Sequence, residues 1–360
     1  MTPDVSDLDL AGIVALAEFE ALARQRLPAA AFDYVAGGSW DETTLDDNTA
    51  AFRRSRFRAS VLSGTMSADL ATTILGRTAA TPFGIAPMAQ FGFCHPEAEL
   101  PAARAAATAG WTFTLSTLST RSIEEVAEAA VGGGPGSRWF QLYVQGDLGF
   151  SRSLVDRAVA AGYEALVVTV DLPMLGYRDR DLRGTGLELH YGNFGRPGDG
   201  NSKTIARGHP PLTWELMDEV RSWSSLPLII KGILVGDDAR LAVQHGASGV
   251  VVSNHGGRQL DRAPAAIEAL GEVVEGVAGQ AEVYLDGGVR RGLDAVLALA
   301  MGARAVFVGR PILYALAAGG EPGVARALEI IRKETERAMI LLGAGSIREL
   351  TPRLVLPARP

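Results

Sequence analysis

Eight short apolar runs recur along this chain with helical stretches between them, and that alternation leaves few folds open. The runs are Pro82–Pro87, Thr112–Ser116, Arg138–Val144, Ala165–Asp171, Leu226–Gly232, Gly249–Asn254, Glu282–Gly288 and Ala305–Arg310. Between them lie Glu97–Ala109, Ser122–Ala130, Phe150–Ala161, Leu212–Trp223, Gly236–His245, Pro264–Val277 and Arg290–Met301, of helical composition and usually closed by a glycine. Strand–helix–strand alternation is the signature of a parallel sheet, and eight such units close most economically into a (β/α)8 TIM barrel. A weak internal repeat agrees: Lys231–Asn254 and Asp286–Arg310 share a strand-end glycine, a helix, a Gly-Ala turn and a valine-rich strand.

At 360 residues the chain exceeds the size, about 250–300, at which one core usually divides. Two domains or one large barrel would satisfy that length, and the eight units favour one domain over 1–360. Residues 1–80 are expected to form an N-terminal helical cap, 81–345 the barrel and 346–360 a tail. Two helices are predicted within Ser6–Gly38, the second over Pro28–Ala36 with Pro28 at its first position and Gly37–Gly38 as its stop. Arg183–Pro211 is the exception to short loops and is expected to be a lid or a disordered loop after the fourth strand.

The net charge of −7 lacks the basic footprint of a nucleic-acid binder, so the expected partners are small molecules. No apolar run approaches the roughly 18 residues of a membrane span. The acidic start, with no Lys or Arg before Arg24, gives no expectation of a secretory or transit signal. A single cysteine, Cys94, allows no internal disulfide or thiolate cluster and suits a cytoplasmic location. Beside His95 it could be a nucleophile, but a buried, inert thiol is the simpler reading.

Ser116, Gln141, Tyr143, Thr169, Asp171, Lys231, Ser253, His255, Asp286 and Arg310 all fall within a residue or two of a strand's C-terminal end, the face on which barrels build their sites. The last two strands run into Asp286-Gly287-Gly288-Val289-Arg290 and Gly309-Arg310, where small residues let backbone N–H groups approach a phosphate and arginines add fork donors. No GxGxxG follows a strand, and Gly132–Gly136 reads as a loop, so a dinucleotide site is not indicated. Of the five histidines, only His255 emerges from a strand; two glycines and Arg258 follow it, which places a base beside an anion-binding cation.

The string Ser253-Asn254-His255-Gly256-Gly257-Arg258-Gln259-Leu260-Asp261 resembles the active-site signature of the FMN-dependent 2-hydroxy acid oxidase and dehydrogenase family, which includes glycolate, lactate and mandelate oxidases. Phe32-Asp33-Tyr34, Ile85-Ala86-Pro87, His95-Pro96-Glu97, Phe140-Gln141-Leu142-Tyr143, Thr169-Val170-Asp171-Leu172-Pro173, Lys231-Gly232 and Val308-Gly309-Arg310-Pro311 follow in the family's order. The resemblance implies FMN across the barrel mouth. Pro87, Met88, Ala89, Ser116, Gln141, Thr169 and Ser253 would contact the cofactor, and Lys231 would face the flavin N1/O2 edge. Asp286, Gly287, Gly288, Arg290, Gly309 and Arg310 would hold its phosphate end. Substrate carboxylate would meet Arg258, Arg178 and the Tyr34 hydroxyl. His255 would accept the proton, Asp171 would stabilise the imidazolium, and Tyr143 would hydrogen-bond the substrate oxygen.

Two positions depart from that pattern. Leu118 stands where glycolate-oxidising relatives carry a large aromatic, and Tyr177 where an arginine is more usual. The expectation is therefore an oxidase of a bulky (S)-2-hydroxy acid, mandelate-like, using O2 and releasing H2O2, with Phe91, Met174 and Tyr177 as candidates to line the space beside Leu118, the sequence leaving open which of them point inward. A dehydrogenase with a quinone or protein acceptor is the alternative; an FMN-dependent isomerase or a non-catalytic phosphate-binding barrel stands further off. A homo-oligomer, tetramer or octamer, is expected.

Overall fold

In the computed structural model, residues 9–131, 134, 136–184, 187–194 and 210–356 are described. The greater part of the Arg183–Pro211 loop, most of Gly132–Gly136, His209 and the end of the tail lie outside them.

Eight parallel strands close the barrel: β1 (Phe83–Ile85), β2 (Thr112–Ser116), β3 (Arg138–Leu142), β4 (Ala165–Thr169), β5 (Leu228–Ile233), β6 (Gly249–Val252), β7 (Glu282–Asp286) and β8 (Ala305–Val308). They pair in chain order and β8 returns to β1, in register Val306↔Phe83. Alternation along each strand sorts the side chains. Phe113, Leu115, Phe140, Leu142, Leu166 and Val168 face the helix layer, in the same core cluster as the helical Val126, Leu154 and Leu270. Trp139, Val167, Ile229, Val251, Tyr284 and Phe307 fill the barrel itself. Gly84 leaves room for the Phe307 ring, which a Cβ would meet at 2.3 Å.

An antiparallel hairpin, Thr72–Ile74 with Arg77–Ala79, closes the N-terminal end by setting Ile74 against the interior cluster. The opposite end is left to polar side chains. Ser116 pairs in register with Gln141, and Thr169 with Lys231. The inward positions that are apolar at the bottom are thus Ser, Gln, Thr, Lys and Asp at the top. The repeated segments noted in the sequence form the two strand–helix–strand units from β5 to β6 and from β7 to β8.

Among the described residues of Ser6–Gly38 the two expected α-helices are present, α1 (Leu16–Arg26) and α2 (Ala29–Ala36), and a further one, α3 (Thr43–Ala50), follows beyond that stretch. Pro28 is the N-cap of α2 and not its first helical residue, and Gly37 ends it in an extended conformation, φ −66°. The helix after β8, which the sequence reading left unplaced, is a run over Arg310–Leu342 broken at Gly319 and Gly320, the latter at φ +58°. Together α1 and α2 lie along that last helix, with Phe32 stacked on Tyr314 at 5.8 Å between ring centroids. Among the described residues no helix is long and apolar enough to cross a membrane.

Candidate active site

The end of α2 hangs over the barrel mouth because two arginines hold its last carbonyls. Arg258 donates to Tyr34 O at 2.8 Å and Gly37 O at 2.9 Å, and Arg310 donates to Val35 O at 2.9 Å and Gly37 O at 2.7 Å. Carbonyls of a last helical turn have no intrahelical donor, and cations complement the dipole there. The clamp delivers Tyr34 to the site, with the Arg258 guanidinium 5.1 Å from its ring centroid. Arg178 donates through Nε to Arg258 O at 3.0 Å, and Asp181 lies 3.6 Å from Arg178 and 3.8 Å from Arg258. Burial and the neighbouring Arg258 charge bring Arg178 down to about 10, and the same two causes bring Arg310 to about 9. Guanidiniums crowded this closely favour any anion that comes between them.

His255 sits at φ +59°, with Gly256 and Gly257 at +64° and +72°. Three successive left-handed residues turn the chain back sharply, and Gly257 must be glycine because a Cβ would stand 2.6 Å from Leu45 N. The turn is tied from outside. Asn48 and Asn254 exchange amide hydrogen bonds of 2.9 and 2.8 Å, the Ser39 N–H donates to Gly257 O at 2.9 Å, and Arg310 donates to Gly256 O at 2.8 Å.

The His255 ring lies between two partners, Asp171 Oδ1 at 2.9 Å from Nδ1 and the Tyr143 hydroxyl at 3.2 Å from Nε2. A carboxylate beside Nδ1 fixes the proton there and leaves Nε2 as the basic nitrogen. Burial lowers the His255 pKa, aided by Lys231 and Arg178 and opposed by Asp171, so the ring is neutral near pH 7. Burial alone would raise Asp171, but the His255 ring and Lys231 outweigh it and hold the carboxyl below its usual range. Burial and the Asp171 charge raise Tyr143, whose hydroxyl therefore keeps its proton. A neutral base with a carboxylate behind it and a protonated donor in front can take a proton from a bound hydroxy acid.

Beneath this triad, Lys231 Nζ donates to Ser253 Oγ at 2.9 Å and lies 3.3 Å from Asp286 Oδ2. Gln141 Oε1 accepts from Ser116 Oγ at 3.1 Å. Gln141 Nε2, Thr169 Oγ1 and Asp286 Oδ1 are buried with no hydrogen-bond partner among the described residues. Leaving a polar atom so costs about 1–3 kcal/mol, and all three belong to interior positions at the strands' upper ends. Gln141 and Thr169 suit the polar edge of an FMN ring, whereas Asp286, expected at the phosphate end, stands beside Lys231, where an accepting carboxylate suits a hydroxyl or N–H of the cofactor and not its phosphate. Beside Gly309 a Cβ would meet nothing nearer than Met88 Sδ at 3.6 Å, which leaves backbone accessible to a phosphate next to Arg310. Arg290, lowered chiefly by burial, adds a second cation. The chain's residues therefore fit FMN, with Pro87, Met88 and Ala89 half-buried on the loop after β1 and Gly287 at φ +93° after β7. Gly288 is also required by packing, since a Cβ there would lie 1.9 Å from Asn48 O.

The structure thus gathers Tyr34, Tyr143, Asp171, Arg178, His255 and Arg258 into one cluster. Leu118 is half-buried on the loop after β2, its N–H donating to Ser116 Oγ at 3.2 Å. None of the three candidates for the lining stands open to the space beside Leu118. Phe91 is only 1% exposed and packs into the core against Phe113, while Met174 and Tyr177 stand in solvent, Tyr177 against the Trp40 ring. Phe93 instead meets the Tyr34 ring edge-on at 5.2 Å. Burial pushes the Cys94 thiol up to about 12, so it is no nucleophile. Sequence reasoning missed Gln259, whose amide donates to Asp171 O and Met174 O, both at 2.9 Å, and accepts from Gly176 N–H at 3.0 Å. Its place in the His255 string was the only signal. Among the described residues no group of His, Cys, Asp or Glu could hold a metal ion.

The profile of the family described as FMN-dependent dehydrogenase matches residues 23–357. An L-lactate oxidase from Nostoc sp. is 46% identical over 349 residues, covering 93% of this chain and 96% of that protein. The glycolate oxidase of Spinacia oleracea is 44% identical over 349 residues, with 93% of each covered. A crystal structure of mandelate oxidase with (S)-2-phenylpropionate superposes with a TM-score of 0.87 at 44% identity, over 96% of this chain and 98% of that one.

Proposed function

The chain belongs to the FMN-dependent dehydrogenase family, and from that premise we propose that it oxidises an (S)-2-hydroxy acid with a bulky or aromatic side chain, mandelate-like, to the 2-oxo acid, with O2 accepting the electrons and leaving as H2O2. It is an FMN-dependent oxidoreductase of the 2-hydroxy acid oxidase type. One observation carries the substrate chemistry: a neutral imidazole, backed by a carboxylate 2.9 Å away, stands beside the Arg178–Arg258 pair. A 2-hydroxy acid presents the two groups such a site answers, a carboxylate and an adjacent C–H and O–H to be deprotonated.

FMN supplies the two-electron acceptor when bound. Gln141, Thr169 and Lys231 would hold its ring, and Gly309, Arg310 and Arg290 its phosphate. The chain's own work is then to orient and to move a proton. Arg178, Arg258 and the Tyr34 hydroxyl take the substrate carboxylate. The Tyr143 hydroxyl, which donates to Nε2 in the resting site, turns its hydrogen bond to the substrate oxygen. His255 Nε2 receives the substrate proton, and Asp171 stabilises the positive ring through Nδ1.

Preference for a large side chain follows from aliphatic Leu118 and the Phe93 edge, and from the likeness to mandelate oxidase structures. A cytoplasmic homo-oligomer of four or eight subunits completes the proposal, and light scattering reads its mass. The test is anaerobic mixing with (S)-mandelate, (S)-lactate and glycolate, followed by air. The expected result is fastest flavin bleaching with mandelate, then rapid return of colour with one H2O2 per turnover. Bleaching by none of the three overturns the activity, bleaching best by glycolate overturns the substrate class, and colour that fails to return in air overturns the acceptor.

A further inference from the structure

Gln90 sits on the loop after β1 in a left-handed conformation, φ +60°, and is 2% exposed. Its amide is fully engaged by main chain from two distant segments. Nε2 donates to His190 O at 2.8 Å and to Leu118 O at 3.3 Å, and Oε1 accepts the His190 N–H at 3.2 Å. One side chain thereby pairs with both polar groups of His190, as an adjacent strand would, and reaches Leu118 as well. The two segments also touch directly. Gly192 N–H donates to Ser119 O at 3.0 Å, and Asn193 Nδ2 donates to Thr117 O at 3.1 Å and Ser119 Oγ at 3.0 Å. Beside His190, Tyr191 is half-buried, and burial chiefly, with Tyr34 as the smaller cause, pushes its hydroxyl up to about 12.

We propose that Gln90 is a positioning residue for substrate size: together with the direct bonds from Gly192 and Asn193, it fixes how the Leu118 loop lies against the His190–Tyr191 segment, and so where the Leu118 side chain stands toward the substrate. The inference rests on the substrate reading above and deepens it. A left-handed backbone held in place by three partly buried hydrogen bonds is a costly way to decorate a loop, and it is accounted for if those bonds set a wall. None of the three bonds involves a residue assigned above to FMN or to the His255 triad, so the effect should fall on side-chain selection and not on the proton transfer.

Gln90→Leu keeps the volume and removes all three bonds. Two readouts follow in the FMN-loaded protein. Hydrogen–deuterium exchange at the His190 amide should quicken by roughly tenfold or more as its acceptor is lost, with β2 and β3 unchanged. The ratio of dissociation constants for benzoylformate and glyoxylate, read from the flavin spectrum, should shift by roughly tenfold against the larger ligand, the scale of a misplaced methylene or two. Limiting flavin-reduction rates should stay within about threefold of wild type, the change appearing in KM. Gln90→Glu, which retains the His190 acceptor and sets a carboxylate against two carbonyls, provides the same ligand ratio if the leucine variant does not fold. An unchanged ratio overturns the proposal, as does a uniform loss of FMN and of both ligands. Because the ratio is a binding measurement, a wild type inert to every 2-hydroxy acid would overturn the activity and still leave this ratio to decide the role of Gln90.

Discussion

Replacing Asp171 with asparagine isolates what its charge does for His255. The carboxylate oxygen lies 2.9 Å from Nδ1, and the two side chains are 13% and 17% exposed. Charge spread over the ring and the carboxylate gives a mean separation of roughly 4 Å, where an effective dielectric near 20 yields about 4 kcal/mol between unit charges. Partial exposure reduces this to about 2–3 kcal/mol, and asparagine retains a hydrogen-bond acceptor for Nδ1–H, so charge alone is lost. The stabilisation exists only once His255 is positive, so it belongs to the transition state and should appear in the rate. Asp171→Asn should slow anaerobic flavin reduction by about two decades with FMN content unchanged. A second sign follows: Asp171 raises the His255 pKa against burial, so its removal should move the acid limb of the pH–rate profile to lower pH. Reduction within about threefold of wild type, or an acid limb that moves upward, would show that the Asp171 charge does not stabilise the His255 imidazolium.

Arg178→Lys and Arg258→Lys should each raise KM by roughly tenfold or more, because an ammonium cannot form the planar fork. FMN lost in place of substrate would show that the anion sites are reversed. Leu118→Trp should move preference from mandelate toward glycolate by about one to two decades in kcat/KM, since a phenyl group's burial is worth roughly 1.5–3 kcal/mol; steady-state kinetics on both acids reads it. In wild type, His255 is held below its ordinary value near about 6.5, so kcat/KM should be flat at pH 7 and fall only as pH drops through that lowered value, where the base becomes protonated. Gly288→Ala should cost more than about 2 kcal/mol in urea unfolding, because the new Cβ would meet Asn48 O at 1.9 Å with φ at +82°.

The barrel was legible because each strand and helix advertises itself locally, by a run of β-branched residues or a stop glycine, and eight repetitions leave one closure. The site was legible for a related reason: inward positions at the upper strand ends switch from Phe and Val to Ser, Gln, Thr, Lys and Asp. What stayed hidden has no local period. Helix α3, Thr-Thr-Leu-Asp-Asp-Asn-Thr-Ala, is short and polar, and it is held by Asp261 accepting from Thr44 N–H at 2.8 Å and by the Asn48–Asn254 pair. The amides of Gln90 and Gln259 likewise act on main chain 80 to 100 residues away. Phe91, Met174 and Tyr177 were candidates for the pocket by nearness in sequence, which says nothing of the face a loop side chain takes; the structure buries the first and exposes the others.

In this enzyme His255 Nε2 would take the substrate proton while other residues hold FMN. Single-turnover anaerobic reduction by (S)-mandelate, in wild type and in His255→Asn with FMN content measured on both, tests it most directly. The variant should be stoichiometrically yellow, with its flavin reduced slower by about two to four decades, the usual worth of a general base. A variant that binds FMN and bleaches at near wild-type speed would contradict it.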